Sequence, residues 1–564
     1  RENPYRLISD IFGIGFRKAD KIAEKLGFEK GNPHRIKSGF LYYLESLAGE
    51  GNSYAPRDEF VEHCAQFLDL TRNDVAEVII DLVLDASIFL ENLEGSQIVQ
   101  LSRYHRAERK VAERISVLAG AHIAPLPVDL ELSIAASEAD SGHKLSELQK
   151  RAVASCLDSG VFVITGGPGT GKTTIIRAIL YILNSAGHKT ALAAPTGRAA
   201  KRMSEATGED ASTVHRLLEY SYSETAEQMR FGRNIENPLD FDCIIIDEMS
   251  MVDILLMEGL LDAVKPGTRL ILVGDADQLP SVGAGNVLRD IIESETVNSV
   301  RLKEVFRQAC ESMIVVNAHL INRGEYPACN ESDTDFFFLD RISQSDIRDT
   351  IRDLLARRLP SYYTDIDPLD IQVLTPTKKG MLGSVQLNRM LQELLNPPSP
   401  GKKEKSFGER IYREGDKVMQ NKNDYMLIWR SLEDMSEGEG VFNGDLGIIH
   451  SIDLENGEIN VLFDGYRLAT YDFSNLEEIE PAYAMTVHKS QGSEFPVVVM
   501  PMSRFAPMLS TRNLLYTAVT RAVEGVVMVG IPEAMHAMVD NNSIVERYSA
   551  LSHRLRAIRD FLNE

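Results

Sequence analysis

Cysteine pairs, long apolar runs and a surplus of positive charge are all missing from this chain. Its five cysteines, Cys64, Cys156, Cys243, Cys310 and Cys329, are scattered without a CxxC pair, which argues against a zinc site, an iron–sulfur cluster or a disulfide framework. They are expected to be reduced and structural. No apolar run approaches the roughly 18 residues a membrane helix needs, and no signal-peptide pattern opens the chain, so the expected setting is the cytoplasm, away from membranes. Lysine and arginine number 60 against 83 aspartates and glutamates, for a formal net charge of -23. That balance opposes a nucleic-acid partner at first sight, because phosphate needs local positive potential. It is a weak veto: a narrow channel around a single strand needs only a few cations and amide donors. Internal repeats, relaxase-like histidine clusters and nuclease-like carboxylate clusters with a lysine are also absent from the sequence.

At 564 residues the chain exceeds one compact core, and ordinary domain sizes suggest roughly three or four. Residues 1–130 read mainly as amphipathic helix broken by glycine turns. Short Val/Ile/Ala runs then alternate with helical patterns at Val161 to Thr165, Ala191 to Ala194, Cys243 to Asp247 and Leu270 to Gly274. Polar or glycine residues follow each run, as a ligand-binding doubly wound parallel sheet requires. A second series comprises Ile371 to Thr375, Val497 to Met500 and Val526 to Gly530. Within it, residues 401–480 read as short strands and turns, including Asn443-Gly444-Asp445 and Asn456-Gly457, which predicts a small inserted β-barrel. The expected division is a helical region at 1–130, a first nucleotide-fold domain at 131–305, a second at 306–400 and 481–564, and the barrel at 401–480. The chain opens at Arg1 inside what reads as an ordered segment, and is expected to be part of something longer.

The strongest local signal is Gly166-Gly167-Pro168-Gly169-Thr170-Gly171-Lys172-Thr173-Thr174, between a strand and a helix. Its glycines let backbone N–H groups wrap phosphates, Lys172 reaches the outer phosphates, and the Thr173 hydroxyl suits Mg²⁺. Downstream, Ile244-Ile245-Ile246-Asp247-Glu248 ends a buried strand in two carboxylates. Asp247 is placed to hold Mg²⁺ through water, and Glu248 to orient the attacking water. These residues imply hydrolysis of ATP or GTP, an activity that several P-loop classes share.

Other motifs narrow the choice by resemblance. Gly274-Asp275-Ala276-Asp277-Gln278-Leu279-Pro280-Ser281-Val282-Gly283 resembles motif III of superfamily 1 helicases, and Lys144-Leu145-Ser146-Glu147-Leu148-Gln149 resembles the Q motif. Ala194-Pro195-Thr196-Gly197-Arg198-Ala199-Ala200 is similar to motif Ia, and Thr213-Val214-His215-Arg216-Leu217 to the next strand-facing motif. Glu304-Val305-Phe306-Arg307-Gln308, Ala484 to Glu494 and Tyr516-Thr517-Ala518-Val519-Thr520-Arg521 resemble motifs IV, V and VI. Their order and wording resemble the RecD family, in its long form that works without the partner subunits of the RecBCD complex. Ile11 to Ala23 looks like that family's helix-hairpin-helix, Leu217 to Asp240 like its β-hairpin pin, and Gly415 to Gln420 with Val441 to Gly447 like its SH3-like barrel.

The resemblance implies an α/β fold of two RecA-like motor domains with a helical N-terminal domain, the pin and the barrel. It implies an ATP-dependent helicase, moving 5′ to 3′ on single-stranded DNA as a monomer and opening duplexes that carry a 5′ single-stranded tail. ATP and Mg²⁺ are the implied cofactors. Gln149 would read the adenine edge, Gln278 would sense the γ-phosphate, Arg307 and Arg521 would reach the nucleotide from across the cleft, and Gly492 and Glu494 would approach it. Pro195, Thr196, Arg198, Thr213, His215, Thr375, Asn443, Thr486, His488 and Lys489 would face DNA. A true RecD subunit or a relaxase-linked helicase fits less well, given the helix-hairpin-helix and the missing histidine cluster. The rival from another class is a DNA-stimulated ATPase that remodels or binds without unwinding. One departure is an extra acidic loop between Tyr425 and Val441, carrying Trp429. Its neighbours Glu433, Asp434, Glu437 and Glu439 would repel phosphate, so Trp429 is expected to pack against protein or sit in a mobile loop rather than stack on a base.

Overall fold

The alternation of side chains along each strand decides how the first large sheet is packed. The computed structural model describes residues 3–10, 14–223, 228–304, 311–331, 334–543 and 547–563. Its first motor sheet comprises β1 (Val161–Gly166), β2 (Thr190–Ala194), β3 (Ala211–Thr213), β4 (Cys243–Ile246), β5 (Arg269–Gly274) and β6 (Asn298–Leu302). The spatial order is β6-β1-β5-β4-β2-β3, with every neighbouring pair parallel. Val161, Val163, Ile244, Ile246, Leu270 and Leu272 enter one core, while Phe162, Ile164, Ile245, Ile271 and Val273 enter the other. Both faces are therefore dry, as a parallel sheet requires. Each fully buried Val, Leu or Ile contributes about 1.5–3 kcal/mol relative to exposure.

Helix α1 (Ser102–Gly120) covers the first face through Val111, Ile115 and Leu118. On the second lie α2 (Glu147–Asp158) and α3 (Lys172–Ser185), the latter burying Ile175, Ile176, Ile179 and Leu183. Helix α4 (Gly197–Thr207) follows β2 directly. All four predicted strands of this sheet are present, shifted by a residue at some ends. Two more, β3 and β6, carry no apolar run in the sequence.

A second sheet comprises β7 (Phe336–Asp340), β8 (Gln372–Thr375), β9 (Ala484–Thr486), β10 (Phe495–Met502) and β11 (Ala522–Gly530), in the order β7-β11-β10-β8-β9 and again all parallel. Helices α5 (Met313–Arg323) and α6 (Arg512–Val519) pack on it through Ile314, Ala318, Leu514 and Leu515. Between β8 and β9 the chain leaves to build a seven-stranded antiparallel sheet, with strands from Lys417–Gln420 to Ile479–Pro481, around a core that includes Val418, Ile449, Val461, Phe463 and Tyr471. This is the SH3-like barrel.

The acidic segment before Val441 is a hairpin rather than a loop: Asp424–Ser431 pairs antiparallel with Glu437–Val441. Trp429 packs against the barrel core, edge-on to Tyr466 at 6.2 Å between centroids. Its contacts match the expected packing role.

The N-terminal region is helical, and the helices Phe16–Lys25 and Pro33–Gly49 pack around Phe16, which stacks on Tyr5 and Tyr42. Of the predicted hairpin Ile11 to Ala23, residues 11–13 lie outside the described residues, and Gly15 caps the helix Phe16–Lys25. Beside the helices stands a three-stranded antiparallel sheet of Tyr54–Pro56, Ile88–Leu93 and Ser96–Leu101. Helix α7 (Leu551–Asn563) returns from the far end of the chain to lie on α1, where Arg554 meets the fully buried Glu108 at 3.3 Å and Glu91 at 2.7 Å. Among the described residues no helix is long and apolar enough to cross a membrane.

Candidate functional site

The sharp turn from β1 into α3 builds the phosphate site. Gly169 and Gly171 have φ of 70° and 82°, left-handed values that glycine adopts without Cβ strain and that turn successive amides inward. Lys172 Nζ lies back over this loop, donating to the carbonyls of Gly166 at 2.7 Å and Gly167 at 3.1 Å. Thr170 closes it with a 2.8 Å hydrogen bond to the Gly167 carbonyl. The exposed Thr173 and the half-buried Thr174 open onto a cavity of about 540 Å³ lined also by Asp140, His143, Arg177 and Tyr181.

Gln149 is buried at the start of α2, with both ends of its amide engaged within the protein. Its Oε1 accepts from the Ser146 amide at 2.9 Å, and its Nε2 donates to the Thr170 carbonyl at 3.1 Å. It therefore completes a capping box at the start of α2 and braces the phosphate loop. The Ser146-x-x-Gln149 spacing carries the signal for this role in the sequence.

Asp247 and Glu248 follow β4 directly. Glu248 holds φ of 53°, a left-handed value for a residue with a Cβ, and such conformations cost about 1–3 kcal/mol and cluster at functional sites. Asp247 Oδ1 accepts from the Glu248 amide at 2.8 Å. Burial, and then the charge of Glu248, push the Asp247 carboxyl up. Burial also works to raise Glu248, but Arg202, Arg521 and Lys172 outweigh it and hold that carboxyl below its ordinary range. The two neighbouring carboxyls are thus shifted in opposite directions.

The second sheet's domain meets this site through contacts that the motif reading missed. Tyr516 Oη donates to Asp275 Oδ2 at 2.6 Å, and the Leu279 amide donates to Thr517 Oγ1 at 3.0 Å. Gln491 Nε2 donates to the Leu279 carbonyl at 2.7 Å, and Asn322 Nδ2 to Asp277 Oδ2 at 2.7 Å. His319 of α5 reaches the Pro168 carbonyl at 3.1 Å, so two side chains of the far domain, His319 and Tyr516, sit against Gly167. Gln278 lies within this loop, 3.3 Å from Asp275. The segment 275–279 is therefore a contact plate between the two domains.

Arg521 is buried beside the carboxylates. One of its nitrogens donates to the Ser493 carbonyl at 3.2 Å, and its Nε has no hydrogen-bond partner among the described residues. Arg307 lies outside the described residues. Gly492, with φ of 70°, packs so closely on Thr196 that an added Cβ would come within 2.7 Å of its hydroxyl. Glu494 reaches Arg202 at 2.6 Å.

On the other side of the same interdomain region lies a second cavity, of about 530 Å³, to which Thr196, Arg198, Asn443, Thr486, His488 and Lys489 all contribute. Six of the ten residues expected to face DNA thus come together, joined by Lys378 and Asn421. The cations Arg198, Lys378 and Lys489 line this cavity together with the carboxylate of Asp445. Burial, and then Arg547, keep the His488 imidazole below its usual range, while Lys489 pairs with Glu480 and Asn421.

The other four lie elsewhere. Pro195 sits at the β2–α4 junction, and Thr213 spends its hydroxyl capping the helix Val214–Leu217. Thr375 is fully buried and donates to the Leu382 carbonyl at 2.7 Å. His215 belongs to an aromatic cluster with Tyr220, Phe231 and Tyr425, where burial pushes it down to about 4. That cluster seats the base of the predicted pin, a two-stranded antiparallel ribbon of Tyr220–Ser223 and Gln228–Phe231. Tyr425 comes from the barrel, 4.9 Å from the Tyr220 ring. Beyond Ser223, where the sequence places the polar tip of the pin, residues 224–227 lie outside the described residues.

Fold and site together define a P-loop protein of two RecA-like domains with an SH3-like barrel inserted in the second. Family models match in the same order: an ATP-dependent RecD2 DNA helicase HHH domain over residues 1–54, an AAA domain over 149–284, an ATP-dependent RecD-like DNA helicase SH3 domain over 387–463 and a UvrD-like helicase C-terminal domain over 481–529. The chain is 34% identical to the ATP-dependent RecD2 DNA helicase of Deinococcus radiodurans, covering 98% of this chain and 73% of that one. It is 30% identical to the RecBCD enzyme subunit RecD of Mycolicibacterium smegmatis, over 81% and 82% of the two chains. Among solved structures it resembles Bacteroides Pif1 bound to ssDNA only loosely, at 19% identity and a TM-score of 0.41 over 74% of this chain and 96% of that one. The chain belongs to the RecD-like family of superfamily 1 helicases.

Proposed function

We propose that this protein is an ATP-dependent DNA helicase that moves 5′ to 3′ along single-stranded DNA as a monomer and separates duplexes bearing a 5′ single-stranded tail. The observation that carries this reading is the course of α4. Its first turn lines the cation-bearing cavity through Thr196 and Arg198, and its next turn reaches Glu248 at the phosphate site through Arg202. Strand and nucleotide can therefore sense each other through one helix. The polarity follows the family resemblance.

In this reading the domains divide as 1–130, 131–305, 306–400 with 481–564, and the barrel at 401–480, except that the terminal helix α7 packs on α1 beside the first sheet rather than on the second. Gly167 to Thr174 cradle the phosphates, and Lys172 meets their outer oxygens. The Thr173 hydroxyl and Asp247 carboxylate are hard oxygen donors that would hold Mg²⁺, an ion that keeps several waters and neutralises charge on the transferred phosphoryl group. Glu248 orients the attacking water. Gln278, within the 275–279 plate, passes the state of the γ-phosphate to the second domain. Arg521, together with Arg307, faces the nucleotide when the cleft closes; an arginine supplied this way is worth about 10³ to 10⁵ in rate. Thr196, Arg198, Asn443, Thr486, His488 and Lys489 grip the strand, while the pin keeps the complementary strand out.

The test is ATP-dependent release of a labelled strand from a 5′-tailed duplex. Release with ATP, and none without it, is the expected result. Hydrolysis stimulated by single strand but without release would instead make the protein a remodelling ATPase.

A further inference from the structure

Helix α4 carries two arginines one turn apart with different partners. Arg198 lines the strand cavity, its guanidinium 5.7 Å above the Phe495 ring. Arg202, four residues on and so on the same helical face, has left that cavity for the nucleotide side. Its Nη2 donates to Glu248 Oε1 at 2.6 Å, and its Nη1 lies 2.6 Å from Glu494 Oε1 as an ion pair without hydrogen-bond geometry. Glu248 comes from the first domain and Glu494 from the second, so a single guanidinium bridges the cleft. The Glu248 side chain is only 10% exposed, leaving little water to compete for this charge-assisted bond.

A carboxylate with an oxygen committed to a guanidinium is a poorer acceptor for the proton of an attacking water. We propose that Arg202 is a positioning residue that restrains Glu248 while no strand is bound, and that a strand held by Thr196 and Arg198 releases Glu248 by moving the helix that carries Arg202. This rests on the helicase reading above. It makes the strand dependence of hydrolysis a property of one ion pair. The same linkage runs in reverse, so freeing Glu248 by nucleotide binding also alters the grip on the strand.

The experiment is steady-state ATP hydrolysis by the full chain, with and without saturating single-stranded polythymidylate, for wild type, Arg202→Gln and Arg202→Lys. Arg202→Gln is expected to raise the strand-free kcat about fivefold or more, the lower end of ordinary coupling, and to shrink the stimulation by strand. By the same linkage, affinity for the strand, read by fluorescence anisotropy, tightens by a similar factor, because the strand no longer has to draw Arg202 off Glu248. Arg202→Lys keeps a cation on Glu248 but has no fork for both acids, so it falls between the two. If Arg202→Gln does not fold, the intermediate rise in Arg202→Lys carries the test. Strand-free turnover that is unchanged, or lowered in proportion to strand-saturated turnover, would overturn the proposal. A wild type that strand does not stimulate would overturn the helicase reading itself, which separates the two failures.

Discussion

Lys172→Ala should remove ATP hydrolysis and duplex unwinding together while leaving nucleotide-free binding of single strand within about twofold of wild type. The side chain touches only the phosphate loop, through the carbonyls of Gly166 and Gly167, and takes no part in the strand cavity lined by Thr196, Arg198 and Lys489. Losing two hydrogen bonds to the carbonyls of Gly166 and Gly167, both buried residues, costs on the order of 1 kcal/mol per bond in stability. Losing a cation at the outer phosphates costs far more in rate, about 10² to 10³-fold by comparison with single oxyanion donors. Steady-state hydrolysis and strand anisotropy on the same preparation check this. Hydrolysis near the wild-type rate would place the nucleotide elsewhere.

Replacing residues 224–227 of the pin with Asn-Gly should abolish strand separation while sparing hydrolysis. Ser223 and Gln228 pair across the ribbon, and a two-residue Asn-Gly turn suits such a register. The base is held independently by the Tyr220, Phe231, His215 and Tyr425 rings. Opening a base-pair step costs about 1.4 kcal/mol in stacking, which hydrolysis supplies; the pin only blocks the second strand. Strand-stimulated hydrolysis and single-strand translocation should therefore stay within about twofold, while unwinding falls by at least about tenfold, a change of roughly 1.4 kcal/mol in the barrier. Unwinding at the wild-type rate would move strand separation to another element, with the inserted barrel the next candidate.

The parts of this molecule that were legible in the sequence are those where local chemistry and local geometry coincide. The phosphate loop needs its glycines in one short run, and the Val/Ile strands feeding it are buried on both faces, so a continuous apolar run marks them. Strand β6 escaped notice because it is an edge strand on which only Leu302 is buried. For β7, the Phe336-Phe337-Phe338-Leu339 run is too short for periodicity to separate strand from buried helix. In sequence the acidic hairpin resembles a loop because its charges dominate the pattern. In the fold, alternate positions still supply Leu427 and Trp429 to the barrel core.

The residues that sequence reading missed at the site share one property: their partners are distant in the chain. Arg202 looks like any surface arginine on a basic helix until Glu248, 46 residues on, and Glu494 of the other domain are brought to it. Tyr516 and Asp275, 241 residues apart, are a similar case. Thr375 shows the opposite error. It stands at the end of a strand, where ligand contacts are common, but its hydroxyl is already used by Leu382.

The most direct test of the account as a whole is unwinding measured on two duplexes of identical sequence, one with a 5′ and the other with a 3′ single-stranded tail. With ATP and Mg²⁺, the account predicts release from the 5′-tailed duplex and little or none from the 3′-tailed one, with both signals lost in Lys172→Ala. Preferential release from the 3′-tailed duplex would contradict the proposed direction, and hydrolysis without release from either would contradict the helicase itself.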